Sequence, residues 1–168
     1  MPILIYNVPK FTGVNIKADA VEVLSDHANI IGMKDSTGDV PQLATFKRIV
    51  PEDFNLIVGT ASALFPVLTL GVDAAILALA NCNPIECAKV QEFYEAGDIL
   101  AAREIYQTMF PVNTAVTGTY GIPGLKYACD LMGYQGGFVR SPMLEISQDD
   151  KSKMKNIIDE AMINIRIS

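Results

Sequence analysis

The sequence has little of several residue types that specialised folds and sites require. Among 168 residues there are no tryptophans, one histidine and three cysteines, and 13 Lys and Arg stand against 19 Asp and Glu. A net charge of −6 argues against the clustered positive charge that nucleic acids and anionic membranes attract. No apolar run reaches the roughly 18 residues that a membrane-spanning helix needs, and no secretion signal opens the chain. We therefore expect a soluble protein with neither a nucleic-acid nor a membrane partner.

The cysteines Cys82, Cys87 and Cys129 are odd in number and show no C-x-x-C spacing. Neither a disulfide framework nor a zinc site is predicted from them. Their expected role is that of small buried hydrophobic residues. This usage favours a reducing compartment, the cytoplasm first and the mitochondrial matrix as the alternative.

Apolar, β-branched runs alternate with helical patterns in the first half of the chain. Strands are predicted at Pro2–Asn7, Ile30–Lys34, Phe54–Val58 and Ala74–Leu79, with helices between them near residues 17–25, 40–49 and 62–70. Such an alternation is typical of βαβ units and predicts a parallel sheet. Asp39 is predicted to cap the helix over residues 40–49, with Pro41 in its first turn.

The pattern becomes helical after the fourth strand. Helices are predicted over residues 84–96, 98–109, 123–132 and 147–165, and the last has an apolar face formed by Ile157, Ile158, Ala161, Met162 and Ile165. We expect a four-stranded βα segment over residues 1–82 and a helical segment over residues 83–168. The two are expected to form one structural unit.

Lys34 stands at the end of an otherwise apolar strand, and Tyr6 ends the strand before it. Catalytic groups in βα barrels come from the carboxyl ends of strands. If both side chains point inward, alternation places Leu4 and Gly32 inward as well, and the small Gly32 is expected to leave space beneath the lysine. A neutral amine attacks a carbonyl, and a tyrosine hydroxyl moves the protons that this requires. The alternatives are a lysine that extends into water and a core tyrosine that bonds the backbone.

Two sequence blocks, residues 6–13 (YNVPKFTG) and 32–39 (GMKDSTGD), carry a resemblance to a known family. They resemble the two signature blocks of the dihydrodipicolinate synthase and N-acetylneuraminate lyase family of class I aldolases. Residues 71–81 and 121–137 extend the match over nearly the whole chain. Within the family, Gly32–Ser36 and Ala115–Thr117 are most similar to 4-hydroxy-2-oxoglutarate aldolases.

The resemblance implies an α/β fold, namely the C-terminal half (strands five to eight) of a (β/α)8 TIM barrel followed by a helical tail. It implies that Lys34 forms a Schiff base, that Tyr6 shuttles protons, and that Ser36, Gly59 and the backbone of Ile76 line the substrate pocket. The implied reaction cleaves a small 2-oxo acid, such as 4-hydroxy-2-oxoglutarate, to pyruvate and an aldehyde. The iminium is the electron sink, so neither a metal nor another cofactor is expected.

One departure from the family pattern concerns the substrate. The synthase branch usually has an arginine where Phe11 stands, to hold a substrate carboxylate, and a neutral ring cannot form that bidentate pair. Lys10 is a partial substitute beside it. An aldolase is therefore favoured, with dihydrodipicolinate synthase and N-acetylneuraminate lyase as alternatives.

A second departure is that the match begins at the fifth strand of the barrel. Four strands cannot close a barrel, so two strand edges and the inner face are expected to be uncovered. We expect a homo-oligomer or pairing with a complementing N-terminal half. The other hypothesis is a catalytically incomplete fragment that serves as an assembly module.

Overall fold

The computed structural model describes residues 1–167, the side chains of residues 166 and 167 excepted, and it divides into two compact units. The first unit is Met1–Leu77 and the second begins at Ala78. This division falls earlier than the boundary expected after Cys82. Ser168, at the end of the expected helical segment, lies outside the described residues.

The first unit is built on a parallel sheet whose strands follow one another in chain order. Within the described residues the sheet has four strands, β1 (Ile3–Asn7), β2 (Ile30–Asp35), β3 (Asn55–Val58) and β4 (Ala74–Ala75). Each strand pairs in parallel with the next, so β1 and β4 form the two edges. The predicted parallel α/β sheet is confirmed.

The fourth strand is shorter than predicted. The backbone N–H of Ile76 donates to the Val58 carbonyl at 3.0 Å, and β3 itself ends at Val58. A strand continues only as far as it can form backbone hydrogen bonds with its neighbour, and beyond Val58 β3 offers β4 no further residues to pair with. The expected strand over Ala74–Leu79 is therefore wrong beyond its first residues.

The helices of the first unit are α1 (Pro9–Thr12), α2 (Ala18–Ser25), α3 (Val40–Ile49) and α4 (Leu64–Leu68). Helix α3 begins as predicted, because the Asp39 side chain accepts from the backbone N–H of Gln42 at 2.9 Å. A 3₁₀ turn at Ala61–Ala63 shortens α4 at its start. Helix α1 was not predicted. It ends at Thr12 and is followed by Gly13, whose φ of 70° suits glycine.

The core of the first unit lies on one face of the sheet. Met33 and Val58 are fully buried there, together with Leu43 and Phe46 of α3. Residues of the other face, among them Leu4, Tyr6 and Ile76, have exposed side chains. One face of the sheet is thus covered by helices and the other is open, as expected for strands that have not closed into a barrel.

The second unit is helical in its described residues. Its helices are α5 (Pro84–Glu95), α6 (Ile99–Thr114), α7 (Gly121–Leu131) and α8 (Gln148–Ile167), with a π-helical segment at Ala115–Thr119 between α6 and α7. Helix α6 continues past Pro111 to Thr114, beyond its predicted end. None of the helices in the described part of the chain is long and apolar enough to cross a bilayer.

Helix α8 follows the predicted pattern. The Ser147 hydroxyl accepts from the backbone N–H of Asp150 at 3.1 Å, which caps the helix, and it donates to the Asp150 carboxylate at 2.7 Å. Ile158 and Ala161 of the predicted apolar face are buried, and so is Met154 one turn earlier. The apolar face packs against the other helices of this unit, including α6 and α7.

Two thiols of the second unit are predicted to react slowly. Burial, the largest cause, raises the pKa of Cys82 and of Cys87 to about 12. Since the thiolate is the nucleophile, we expect iodoacetamide at about pH 8 to label both residues much more slowly in the native chain than in denaturant. Peptide mass spectrometry over time measures this. Equal native and denatured labelling rates would contradict the burial.

Candidate active site

The predicted catalytic pair lies at the carboxyl ends of two adjacent strands. The parallel register aligns Tyr6 of β1 with Lys34 of β2, so both side chains project from the same face. The side-chain nitrogen Nζ of Lys34 lies 4.3 Å from the centre of the Tyr6 ring. The Tyr6 side chain is about half exposed and Lys34 is partly buried. The structure therefore brings the two residues into contact on the open face.

Ser36 directly follows β2, and Gly59, which directly follows β3, lies beside it. The Ser36 hydroxyl donates to the Gly59 carbonyl at 3.3 Å, and the Gly59 N–H donates to the Asp35 carbonyl at 2.6 Å. A Cβ atom at Gly59 would overlap Ser36 Oγ and lie 2.9 Å from Lys34 Cε. Glycine at this position thus permits the close approach of β3 to the lysine and the serine.

Replacing Gly59 by alanine is expected to displace Ser36 and Lys34. The added methyl group has no free volume, and overpacking of this kind costs about 1–3 kcal/mol of unfolding free energy. Urea unfolding measures the loss. Gly118→Ala is the matched control, because a Cβ there meets no atom within 4 Å. A Gly59→Ala chain as stable as the Gly118→Ala control would contradict the close packing.

The last predicted pocket residue, Ile76, follows β4 on the open face. Its backbone N–H is bonded to Val58, the residue before Gly59, and its side chain is about half exposed. The five predicted site residues therefore lie along the carboxyl ends of neighbouring strands. Of these, Tyr6, Lys34, Ser36 and Gly59 form a continuous group through the contacts above.

The space expected beneath Lys34 is absent, and that expectation was wrong. A Cβ atom at Gly32 would lie 2.8 Å from the Cβ of Asn55 and 2.9 Å from the Cδ2 of Leu4. The register places Leu4 and Asn55 on either side of Gly32, so their side chains fill the volume. Gly32 is required by close packing and leaves no cavity for a substrate.

A polar network behind the predicted catalytic pair was missed by sequence reasoning. Asn7 and Asp35 follow Tyr6 and Lys34 directly, pair with each other in the sheet register and are almost completely buried. The Asn7 side-chain amide donates to the Asp35 carboxylate at 2.6 Å. Asn15 and Gln42 complete the group with further hydrogen bonds.

One signal in the sequence indicates this network. If Tyr6 and Lys34 project to the open face, alternation sends Asn7 and Asp35 to the opposite face, which the helices cover. Apolar residues are expected on a covered face. Two polar residues side by side at that depth need each other as partners.

The position of the family arginine is exposed. Phe11 is 74% exposed, and Lys10 Nζ lies 5.8 Å from the centre of its ring. Within the described part of the chain, no group of three or more His, Cys, Asp or Glu side chains is arranged to hold a metal ion.

Parallel βα units with a lysine and a tyrosine in contact at their carboxyl ends define this chain as an α/β protein with a candidate site at strand ends. Residues 1–161 match the family model described as the dihydrodipicolinate synthetase family. The chain belongs to this family.

Individual relatives agree with the family match. A 4-hydroxy-tetrahydrodipicolinate synthase from Archaeoglobus fulgidus is 33% identical over 94% of this chain and 55% of its own length. The crystal structure of dihydrodipicolinate synthase from Thermotoga maritima superposes with a TM-score of 0.87 at 26% identity, over 97% of this chain and 57% of that one. The chain therefore spans about half the length of the relatives it matches, and its fold is similar to part of their barrels.

A third relative was solved with a ligand. YagE, a prophage protein of this family from E. coli K12, is 26% identical and has a TM-score of 0.87 over 96% of this chain and 56% of its own. Its crystal structure is a complex with pyruvate.

Proposed function

We propose that this chain carries the Schiff-base site of a class I lyase that acts on a small 2-oxo acid. The observation that carries the proposal is the contact between Lys34 and Tyr6 at aligned positions of adjacent strands. Membership of the family and the pyruvate complex of YagE support it.

In the proposed reaction, the neutral Lys34 amine attacks the ketone carbon of the 2-oxo acid. Loss of water from the carbinolamine gives an iminium, which accepts the electron pair released when the bond to the aldehyde fragment breaks. Tyr6 donates and accepts the protons of these steps. The Ser36 hydroxyl lies beside the lysine and would turn from the Gly59 carbonyl to donate to the substrate carboxylate. The resulting enamine takes up a proton on its terminal carbon to give the pyruvate iminium, and addition of water to this iminium frees pyruvate and restores the Lys34 amine.

The favoured substrate is 4-hydroxy-2-oxoglutarate. The curated relatives are named synthases, yet the exposed Phe11 stands where a synthase has its arginine and cannot bind a carboxylate. Lys10 next to it supplies a positive charge without the bidentate geometry.

A comparison of substrates tests this choice. Pyruvate release from 4-hydroxy-2-oxoglutarate and from N-acetylneuraminate is followed with a coupled dehydrogenase, and consumption of pyruvate with aspartate semialdehyde is followed separately. Faster cleavage of 4-hydroxy-2-oxoglutarate is expected. A faster synthase reaction would reverse the assignment.

A second candidate function is an assembly module, and the open face of the sheet favours it. Leu4, Tyr6 and Ile76 expose apolar surface there, and β1 is an edge strand with unpaired backbone groups. A second copy of the chain or a complementing N-terminal half would cover this face and enclose Lys34. We propose such an assembly in the cytoplasm, where the three free thiols fit a reducing environment.

Light scattering during size-exclusion chromatography tests the assembly. A dimer or larger species is expected, and a stable monomer would contradict self-association. Adding a separately produced first half of a family barrel then measures complementation. A rise in pyruvate release favours the module, whereas full activity of the chain alone with no rise favours the self-sufficient enzyme.

A further inference from the structure

We infer that the network of Asn7, Asn15, Asp35 and Gln42 is a positioning device for the Lys34 and Tyr6 pair. The inference rests on the proposed function, because it concerns the rate at which Lys34 forms an imine. These four residues, called the clamp below, belong to none of the site roles proposed above.

The clamp is a closed ring of hydrogen bonds. The Asn7 amide donates to Asp35 Oδ2 at 2.6 Å and to Asn15 Oδ1 at 2.8 Å. The Gln42 amide donates to the same two oxygens at 3.0 and 3.2 Å. Asn15 returns a bond to Gln42 Oε1 at 2.8 Å. Each amide orientation is thereby fixed by its neighbours.

The remaining polar atoms of the clamp bind the backbone around it. Asp35 Oδ1 accepts from the backbone N–H of Thr37 at 3.0 Å and from the hydroxyl of Thr37. Asn7 Oδ1 accepts from the N–H of Ile16 at 3.1 Å. Both oxygens of the fully buried Asp35 carboxylate are therefore satisfied by two donors each.

The clamp ties two further parts of the unit to the ends of β1 and β2. Asn7 is the last residue of β1, Asp35 is the last residue of β2, Asn15 lies in the loop after α1, and Gln42 lies in the first turn of α3. Asn7 and Asp35 are the buried centre of this network, and a movement of either leaves a buried polar group unpaired at a cost of about 1–3 kcal/mol, so the two strand ends are held rigidly.

This rigidity reaches the site through the backbone. Tyr6 and Lys34 precede Asn7 and Asp35 and project from the opposite face, so any rotation of a strand end moves a clamp residue and a site residue together. Holding Asn7 against Asp35 therefore holds Tyr6 against Lys34. Misplacement of reacting groups by about 1 Å can cost about 10²-fold in rate.

Asp35→Asn is the decisive substitution. It keeps the shape of the side chain but replaces one accepting oxygen by an NH₂ group, which would face the amides of Asn7 and Gln42 or the donors of Thr37. The ring cannot absorb this conflict by flipping one amide, because each amide is already oriented by another bond. The strand ends are expected to separate slightly while the fold is kept.

The experiment measures the rate at which pyruvate and borohydride add mass to the chain, as a function of pyruvate concentration. The rate is divided by the folded fraction from a melting curve of the same variant. Asp35→Asn is expected to lower the corrected rate at saturating pyruvate by about 10- to 100-fold and to leave the half-saturating concentration at the wild-type value.

Two further variants make the result decisive. Gln42→Met keeps a helix-forming side chain and removes the Gln42 bonds to Asp35 and Asn15, but it leaves the bond between Asn7 and Asp35 in place, so a smaller loss of corrected rate is expected. Asp39→Asn is the control, because asparagine caps α3 equally well and Asp39 lies outside the clamp. Its rate is expected to equal that of wild type.

The outcomes separate the two proposals. A wild-type chain that gains no mass overturns the proposed function, and the positioning role with it. A reactive wild type with an unchanged corrected rate in Asp35→Asn overturns the positioning role alone. If Asp35→Asn does not fold, Gln42→Met decides, and an unchanged corrected rate there overturns the role.

Discussion

Lys34→Arg is expected to abolish the adduct that pyruvate and borohydride form with the wild-type chain. Arginine keeps the positive charge and much of the side-chain length, and its contact with the Tyr6 ring remains feasible. Its guanidinium stays protonated and cannot attack a carbonyl. Intact-mass spectrometry after reduction measures the adduct, and aldol cleavage is expected to fall to the uncatalysed rate.

Lys17→Arg is the matched control for this change. Lys17 is an exposed lysine just before α2, and it is not one of the residues of the proposed site. The control is expected to trap pyruvate as the wild type does. A Lys34→Arg chain that still gains the adduct mass would show that another amine is the nucleophile.

Tyr6→Phe is expected to separate imine formation from turnover. The substitution keeps the Lys34 amine and the aromatic ring next to it. It removes only the hydroxyl that is proposed to transfer protons. Loss of a general acid–base group lowers turnover by about 10²- to 10⁴-fold. The variant is therefore expected to reach the full adduct mass slowly and to release pyruvate from the aldol substrate at the reduced rate.

The control for this hydroxyl is Tyr134→Phe. Tyr134 is 48% exposed, close to the 50% of Tyr6, and it lies in the second unit after α7. Its turnover is expected to match that of wild type. An equal turnover in Tyr6→Phe and Tyr134→Phe would remove Tyr6 from the proton-transfer role.

The arrangement of the first unit was predictable because its signals are local. Each strand or helix can be recognised from its own residues. Runs of β-branched residues indicate the strands, Gly59 and Gly71 indicate where elements end, and Asp39 indicates where a helix begins. The length of β4 was not predictable, because its pairing stops where β3 ends at Val58, and the end of β3 is not encoded in the sequence of β4 itself. The continuation of α6 through Pro111 was also missed, since proline usually ends a helix.

The candidate site was predictable in part. Alternation along two strands and their spacing were enough to place Tyr6 beside Lys34, because a parallel register aligns strand ends. The packing of Leu4 and Asn55 around Gly32 depends on side chains from two other strands, which no single run of sequence encodes. The clamp was not predicted for the same reason, because its four residues come from four separate segments of the chain.

The most direct test of the proposed site is the position of the trapped pyruvate. The wild-type chain is incubated with pyruvate and borohydride, digested, and its peptides are sequenced by mass spectrometry. We predict that the reduced adduct lies on Lys34 and on no other lysine. A chain without an adduct, or an adduct on a different lysine, would contradict the assignment of Lys34 as the Schiff-base residue.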